Sequence, residues 1–174
     1  MSGSFKTIIA IVVAALVIGI LPLMAVSERA NDQAQVIAES RVSDFVNNAA
    51  ITGSIKQKNY DDLITKLSAT GNTYNVNIEV ERMAENIGVK TAWIHGDVMG
   101  ENSTYKIYTQ SIEEDLKRVG LFNLNRGDKV TVTVKNSNNT IASNFRSFVY
   151  GIGGQRNYDI VAAHTATVTK SGGR

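Results

Sequence analysis

Side chains able to do covalent or proton-transfer chemistry are scarce in this sequence. There is no cysteine, and the two histidines, His95 and His164, lie far apart along the chain. A thiolate site, a histidine-based metal site and a histidine base are therefore not indicated. Asp97 follows His95 closely, but this pair lacks a nucleophile and an orienting partner. We predict that the protein is not an enzyme and that it holds neither a cofactor nor a metal ion.

Two short motifs resemble functional loops, and both are more simply explained as turns. Arg126-Gly127-Asp128 matches a cell-adhesion tripeptide but directly precedes a Val–Thr strand, where Gly127 would supply the positive φ of a tight turn. The glycines of Gly151-Ile152-Gly153-Gly154 lack the spacing and the lysine of a phosphate-binding loop. No nucleotide is expected to bind.

Acidic clusters and aromatic residues have structural interpretations as well. Asp61-Asp62 and Glu113-Glu114-Asp115 are predicted to lie on solvated helix faces near helix starts, where the macrodipole favours negative charge. Calcium binding is the alternative for these clusters. The large aromatic residues are assigned to the core or to subunit contacts: Trp93, Phe145 and Phe148.

The overall charge of the chain excludes one class of partner. The 174 residues include 18 Lys plus Arg against 16 Asp plus Glu, so there is no large positive field to attract nucleic acid. No nucleic-acid partner is expected. The absence of cysteine suits an exported bacterial protein that does not rely on disulfides.

The most informative segment is apolar. Ile8 to Val26 contains nineteen residues without a charge, and a helix of that length spans about 28 Å, close to the hydrocarbon core of a bilayer. Lys6 in the short N-terminal stub favours an N-inside orientation, with the polar remainder outside the cytoplasm. The sequence therefore predicts a single-pass membrane segment at 1–26 and an extracytoplasmic domain at 27–174.

Three roles for this segment are open. It could be a signal peptide cleaved near Ser27, although its apolar stretch exceeds the usual core of roughly 7 to 15 residues. It could be an uncleaved anchor, or a stem that leaves the membrane and packs inside a filament. Pro22 would remove one helical hydrogen bond near the outer end of the segment, as a tolerated proline or as a hinge.

Close helix packing is favoured by small residues inside the segment. Ala15 and Gly19, with Ala14 beside them, form a small-xxx-small pair that lets two helices approach. The residues predicted to pack between helices are Ile8, Ile11, Ala14, Ala15, Gly19 and Pro22.

The rest of the chain predicts an α+β domain. One helix is expected from near Phe5 to Gly53, with an amphipathic stem at 27–52 whose inner face carries Ile37, Val42, Phe45, Val46 and Ala49. Two short helices should follow. The first is capped by Asn59 and ended by Gly71, with Leu63, Ile64 and Leu67 apolar. The second has a Ser111–Glu114 capping box and ends at Gly120, with Ile112, Leu116 and Val119 inward.

Alternating residues predict a small, mostly antiparallel sheet on which the stem packs. The clearest strands are 73–82, where Tyr74, Val76, Ile78 and Val80 share one face, and 129–135, with Val130, Val132 and Val134 on one face. Further strands are expected at 90–95, 103–109 and 158–169, with a hairpin partner beginning near Thr140.

An apolar N-terminal helix that continues into an amphipathic stem on a small sheet resembles type IV pilins and pseudopilins. The stretch from Phe45 to Val80 also resembles TadE-like, pilin-related proteins of Gram-positive bacteria. The resemblance implies a prepilin-type processing site at Gly3 and Ser4. It departs from the type IV pattern where Ile8 replaces the family's glutamate, five residues into the mature chain, which suggests a minor subunit, a pseudopilin-like component or another assembly rule.

These observations favour a structural subunit of an extracellular filament at the bacterial cell surface. Its partners would be other copies, the membrane and the pilus assembly machinery. The alternative is a monomeric, membrane-tethered surface or conjugation accessory protein that acts as a binding module.

Overall fold

The computed structural model describes residues 2–83, 104–138 and 160–172, with the side chains of residues 2, 16, 17 and 20 set aside. A long N-terminal helix, two short helices and a small antiparallel sheet make up these residues. The predicted α+β fold is therefore confirmed in its architecture. The strand predicted at 90–95 and the hairpin partner near Thr140 lie outside the described residues.

The first helix, α1, runs from Ser2 to Thr52 and continues through Pro22. At 1.5 Å per residue, its 51 residues form a rod about 76 Å long. The helix ends where Gly53 adopts a positive φ of 69° and its N–H donates to the Ala49 carbonyl at 2.9 Å. The predicted single helix and its glycine terminator are confirmed.

Only the second half of α1 packs on the domain. Its buried positions recur at helical spacing: Ala34, Ala38, Val42, Phe45, Val46, Ala49 and Ala50. Ile37 was predicted on this face, but it is 39% exposed because the helical period turns it away from Ala34 and Ala38. These two alanines are small, so the helix can lie close to the sheet.

The main sheet has four antiparallel strands in the order β3-β2-β5-β6. They are β2 (Tyr74–Met83), β3 (Thr104–Tyr108), β5 (Lys129–Asn136) and β6 (Val161–Thr167). The valines and isoleucine predicted inward on β2 and β5 are buried in the core, while Tyr74 is partly buried. Two three-residue strands, β1 (Ser54–Lys56) and β4 (Leu121–Asn123), form a separate ribbon that is too short to show alternation in the sequence.

The short helices are present, but their starts differ from the prediction. Helix α2 (Gln57–Ser68) begins before Asn59 and ends before Gly71, which instead has a positive φ in the following turn. Helix α3 (Thr109–Val119) begins before Ser111, so the predicted capping box does not mark its start.

The reason for the early start of α3 lies in the sheet. The Thr109 hydroxyl lies 2.7 Å from the Ile78 amide nitrogen, so strand β2 fixes the residue at which α3 begins. Leu116 is buried as predicted, whereas Val119, also predicted inward, is 64% exposed. Gly120 ends α3 in the left-handed region, as predicted.

Helix α1 and strand β6 run side by side in the same direction. Near the start of β6, the Gln35 amide both donates to the Val161 carbonyl (2.8 Å) and accepts from its N–H (3.1 Å). At the far end, the Thr169 N–H donates to the Ala50 carbonyl at 3.0 Å. The stem is therefore joined to the sheet by polar contacts at both ends of β6.

Candidate assembly surface

The N-terminal half of α1 carries large apolar side chains that the domain does not cover. Along residues 5–26, ten of them are 46% to 74% exposed: Phe5, Ile8, Ile9, Ile11, Val12, Val13, Ile18, Leu21, Leu23 and Val26. Their spacing places them on all sides of the helix. We call residues 5–26 the apolar segment.

Leaving this surface in water is costly. Full burial of one such side chain is worth about 1.5–3 kcal/mol, and a contiguous exposed apolar surface of this kind usually marks a contact with lipid or protein. Among the described residues, the domain does not cover the apolar segment.

The small residues predicted for helix packing lie on this exposed rod. Ala14, Ala15, Gly19 and Pro22 are all exposed, and a Cβ atom added at Gly19 would meet nothing within 4 Å. Within one copy of the chain, Gly19 is therefore not required by packing.

The residues predicted for processing occupy the first turns of α1. Gly3 and Ser4 are helical, and the Gly3 carbonyl accepts a 3.1 Å hydrogen bond from the Thr7 hydroxyl. A Cβ atom at Gly3 would meet nothing within 4 Å. The local structure leaves this predicted site accessible from the side.

Among the residues that the structure describes, no helix qualifies as a membrane span by length and hydropathy. The apolar, membrane-crossing character that the sequence predicts for 1–26 is not supported by this result and stays a prediction.

The adhesion-like tripeptide is part of a structural turn. The Asp128 carboxylate is buried and lies 2.8 Å from the Arg82 guanidinium, and it also accepts the Asn125 N–H at 2.9 Å. Gly127 has a φ of 94°, as the turn prediction requires. An adhesion receptor would need this carboxylate, so the buried pairing argues against that role.

The acidic clusters are paired with neighbouring side chains. Asp62 lies 2.6 Å from Lys66 and Asp115 lies 2.6 Å from Arg118, while Glu113 accepts a 2.6 Å hydrogen bond from the Tyr60 hydroxyl. Burial of Tyr60 and this hydrogen bond to Glu113 raise the pKa of the tyrosine.

These acidic residues were predicted near helix starts, and they lie in the second turns of α2 and α3 rather than in the first. Within the described ranges, no group of three or more His, Cys, Asp or Glu side chains could hold a metal ion.

Several residues singled out in the sequence lie outside the described ranges: His95, Asp97, Trp93, Phe145, Phe148 and Gly151–Gly154. His164 lies within them, on β6, and its ring nitrogen is 3.3 Å from the Asn47 side-chain oxygen of α1. It therefore contributes to the contact between stem and sheet.

A polar groove lies between α1 and α2. Phe45 and Leu63 form its floor, and the Arg41–Asp44 and Asp62–Lys66 ion pairs line its walls. Because its charged groups are already paired with one another, the groove presents no arrangement for catalysis.

Comparison with known proteins adds no relative. No family model, no curated protein and no solved structure matches this chain.

Proposed function

We propose that the protein is a structural subunit of a pilin-like extracellular filament. The apolar segment would hold each copy in the cell membrane, N-inside, and would then pack against the same segment of other copies in the filament core. The observation that carries this proposal is the exposed apolar segment on a helix that continues without a break into the domain-bound stem.

The stem suits a subunit that must transmit load from a filament core to a surface domain. The contacts of Gln35 with Val161 and of Ala50 with Thr169 hold the stem at two points about four helical turns apart. Buried Val42 and Val46 fill the space between them. The globular domain would therefore follow α1 as a rigid attachment when helices pack.

Cohesion would come from van der Waals packing between uncharged helices. Lipid is as apolar as these side chains, so close fit rather than hydrophobic transfer decides whether helices associate. Ala15 and Gly19 lie one turn apart and leave the backbone accessible. The resemblance to type IV pilins and TadE-like proteins, which rests on sequence features alone, supports the same role.

The alternative is a membrane-tethered surface or conjugation accessory protein that acts as a monomer. Lipid alone could cover the apolar segment, so the exposed surface is compatible with this role too. The two proposals differ in whether α1 contacts a second copy, and experiments on Gly19 address that contact.

We expect Gly19→Leu to reduce filament formation about tenfold or more. A leucine would overpack each helix contact at a cost of about 1–3 kcal/mol, and about 1.4 kcal/mol corresponds to tenfold. The monomer should fold normally, because the position faces open space. The measurement is a count of filaments by negative-stain microscopy of sheared surface material.

Gly19→Ala is the matched control, since alanine keeps the position small and should leave the filament count unchanged. Intact mass of the native protein adds a second test: cleavage at Gly3 supports a pilin, whereas cleavage near Ser27 would make the chain a secreted protein. Normal filaments from Gly19→Leu would contradict the proposal, and so would a freely soluble native chain.

A further inference from the structure

One edge of the main sheet is formed by β6. The Asn136 N–H donates to the Ile160 carbonyl (3.0 Å) and the Val168 N–H to the Asp128 carbonyl (2.8 Å), which fixes the bonding pattern between β5 and β6. Such pairs alternate along antiparallel strands. The N–H and C=O groups of the odd-numbered residues therefore point away from β5: Val161, Ala163, Thr165 and Thr167.

Among the described residues, the middle of this edge has no main-chain partner, whereas beyond its far end the Thr169 N–H donates to the Ala50 carbonyl of α1 at 3.0 Å. The Gln35 side chain satisfies both backbone groups of Val161, whereas no described residue bonds the outward backbone groups of the next three odd-numbered residues. These residues, Ala163, Thr165 and Thr167, are exposed. The strand also lacks the lysine, glutamate or proline that usually protects an edge from pairing.

The opposite edge is formed by β3. The Ser137 N–H donates to the Thr73 carbonyl at 2.8 Å, so the odd-numbered residues of β2 bond β5 and its even-numbered residues bond β3. By the same alternation, the even-numbered residues of β3 face outward: Thr104, Lys106 and Tyr108. Among the described residues, their outward N–H groups have no partner. The Tyr108 carbonyl is the N-cap carbonyl of α3 and accepts the first hydrogen bond of that helix.

We propose that β6 of one copy pairs antiparallel with β3 of a second copy, so that the sheets of neighbouring copies become continuous. In the register that matches the outward groups, Thr165 lies opposite Lys106 of the second copy and Ala163 lies opposite its Tyr108. This is strand addition at a sheet edge, in which main-chain hydrogen bonds provide the affinity.

The side chains at the two edges are compatible in size and bring no like charges together. Tyr108 is 55% exposed and would lie over the small Ala163. Lys106 forms a 2.8 Å ion pair with Glu79 on the outer sheet face. Thr165 of the other copy would lie opposite Lys106, and it is uncharged. The register therefore places no like charges opposite each other. Like charges directly opposite each other would be destabilising.

Strand directions favour this pairing over a two-fold β6–β6 contact. Because α1 and β6 run in the same direction, antiparallel β6–β6 pairing would point the two apolar segments in opposite directions. Strand β3 runs opposite to β6, so β6–β3 pairing lets both segments point to the same side. This step rests on the proposed function, in which all copies share one membrane or filament.

Cross-linking tests the proposal directly, because the chain has no native cysteine. Full-length Thr165→Cys and Lys106→Cys variants, with tags of different size, are expressed together in cells and treated with a short thiol–thiol cross-linker. Opposite residues in such a pair have Cβ atoms about 4.5–5.5 Å apart. We expect a cross-linked dimer of the two variants together and none from either variant alone.

Two results would overturn the proposal. One is the absence of the mixed dimer. The other is a homodimer from Thr165→Cys alone, which would indicate two-fold pairing of β6.

A proline variant provides an independent test. Thr165→Pro removes an outward N–H but no main-chain hydrogen bond to β5, so the sheet of the single copy should be retained. It also removes the 2.9 Å contact between the Thr165 and Thr131 hydroxyls, a loss that Thr165→Ala reproduces. With Thr167→Cys and Thr104→Cys as the cross-linking pair, Thr165→Pro should lower the yield about tenfold, whereas Thr165→Ala should not. Circular dichroism verifies that both variants fold, and equal yields would count against strand addition.

Filaments counted in the same samples separate this proposal from the proposed function. The mixed dimer in cells without filaments would support strand addition and refute the filament. Filaments without the mixed dimer would support the filament and refute strand addition.

Discussion

Arg82 and Asp128 form the most deeply buried ion pair among the described residues. Their side chains are 17% and 3% exposed, and the Arg82 guanidinium also lies 5.9 Å from the centre of the Phe122 ring and donates to the Asn123 carbonyl at 2.9 Å. The pair joins β2 to the turn before β5. In the sequence, Asp128 is conspicuous only as part of an adhesion-like tripeptide, because its partner is 46 residues away.

Asp128→Ala should therefore destabilise the protein by up to about 3–5 kcal/mol, since it removes the buried carboxylate and leaves the partly buried Arg82 guanidinium without its counter-charge. Urea unfolding measures this loss. Lys106→Ala is the control: it breaks an ion pair in which the lysine side chain is 49% exposed, so a loss of at most about 1 kcal/mol is expected. Equal losses in the two variants would show that the buried pair has no special role.

At the scale of elements, the end of α1 is held by the C-terminal segment 168–172. The Thr169 N–H donates to the Ala50 carbonyl at 3.0 Å and so satisfies a helix carbonyl that would otherwise lack a partner. The Gly172 N–H donates to the Leu124 carbonyl at 3.0 Å. Gly53 lies where these segments cross. A Cβ atom there would collide with the backbone of Lys170, Ser171 and Gly172.

Gly53→Ala should accordingly lower the free energy of unfolding by more than the conformational strain alone. The positive φ contributes roughly 1–2 kcal/mol, and the collision with backbone atoms adds to that cost. Gly71→Ala is the matched control, because Gly71 has a φ of 81° but open space around it. Thermal unfolding should show a clearly larger drop for Gly53→Ala; equal drops would mean that the crossing can relax.

At the scale of the whole molecule, α1 has two parts. The domain does not cover the apolar segment, whereas the core of the domain includes residues of the stem. The buried part of α1 begins at Ala34, and the Gln35 contact with β6 lies at the same level. The fold of the domain should therefore be independent of the apolar segment, while association should depend on it.

A chain that begins at Ser27 should fold, remain soluble without detergent and melt within a few degrees of the full-length protein. The full-length protein should require detergent or lipid. As a control, a chain that begins at Ser43 loses the buried Ala34, Ala38 and Val42 and should not fold. Size-exclusion chromatography and circular dichroism report both properties, and an aggregated Ser27 chain would contradict this division.

The predictions from the sequence that were confirmed are those that rest on local periodicity. The helical spacing and the terminating Gly53 define α1, and the alternation of Val130, Val132 and Val134 defines β5, because these patterns depend only on the geometry of each element. The predictions were wrong where contacts with another element determine which way a residue faces or where a helix begins. Ile37 faces away because the stem packs through Ala34 and Ala38, and α3 starts early because Thr109 bonds strand β2.

By itself, the sequence determined that the chain has a long helix with an uncharged stretch at 8–26, an amphipathic stem and a small alternating sheet. Only the tertiary structure decided which strands are edges, which carboxylate is buried, and how Gln35 and Thr169 join the stem to β6. These contacts connect residues up to 126 positions apart, and no local pattern encodes them. The physical reason is that pairing and burial depend on which surfaces meet, whereas periodicity depends only on the backbone of one element.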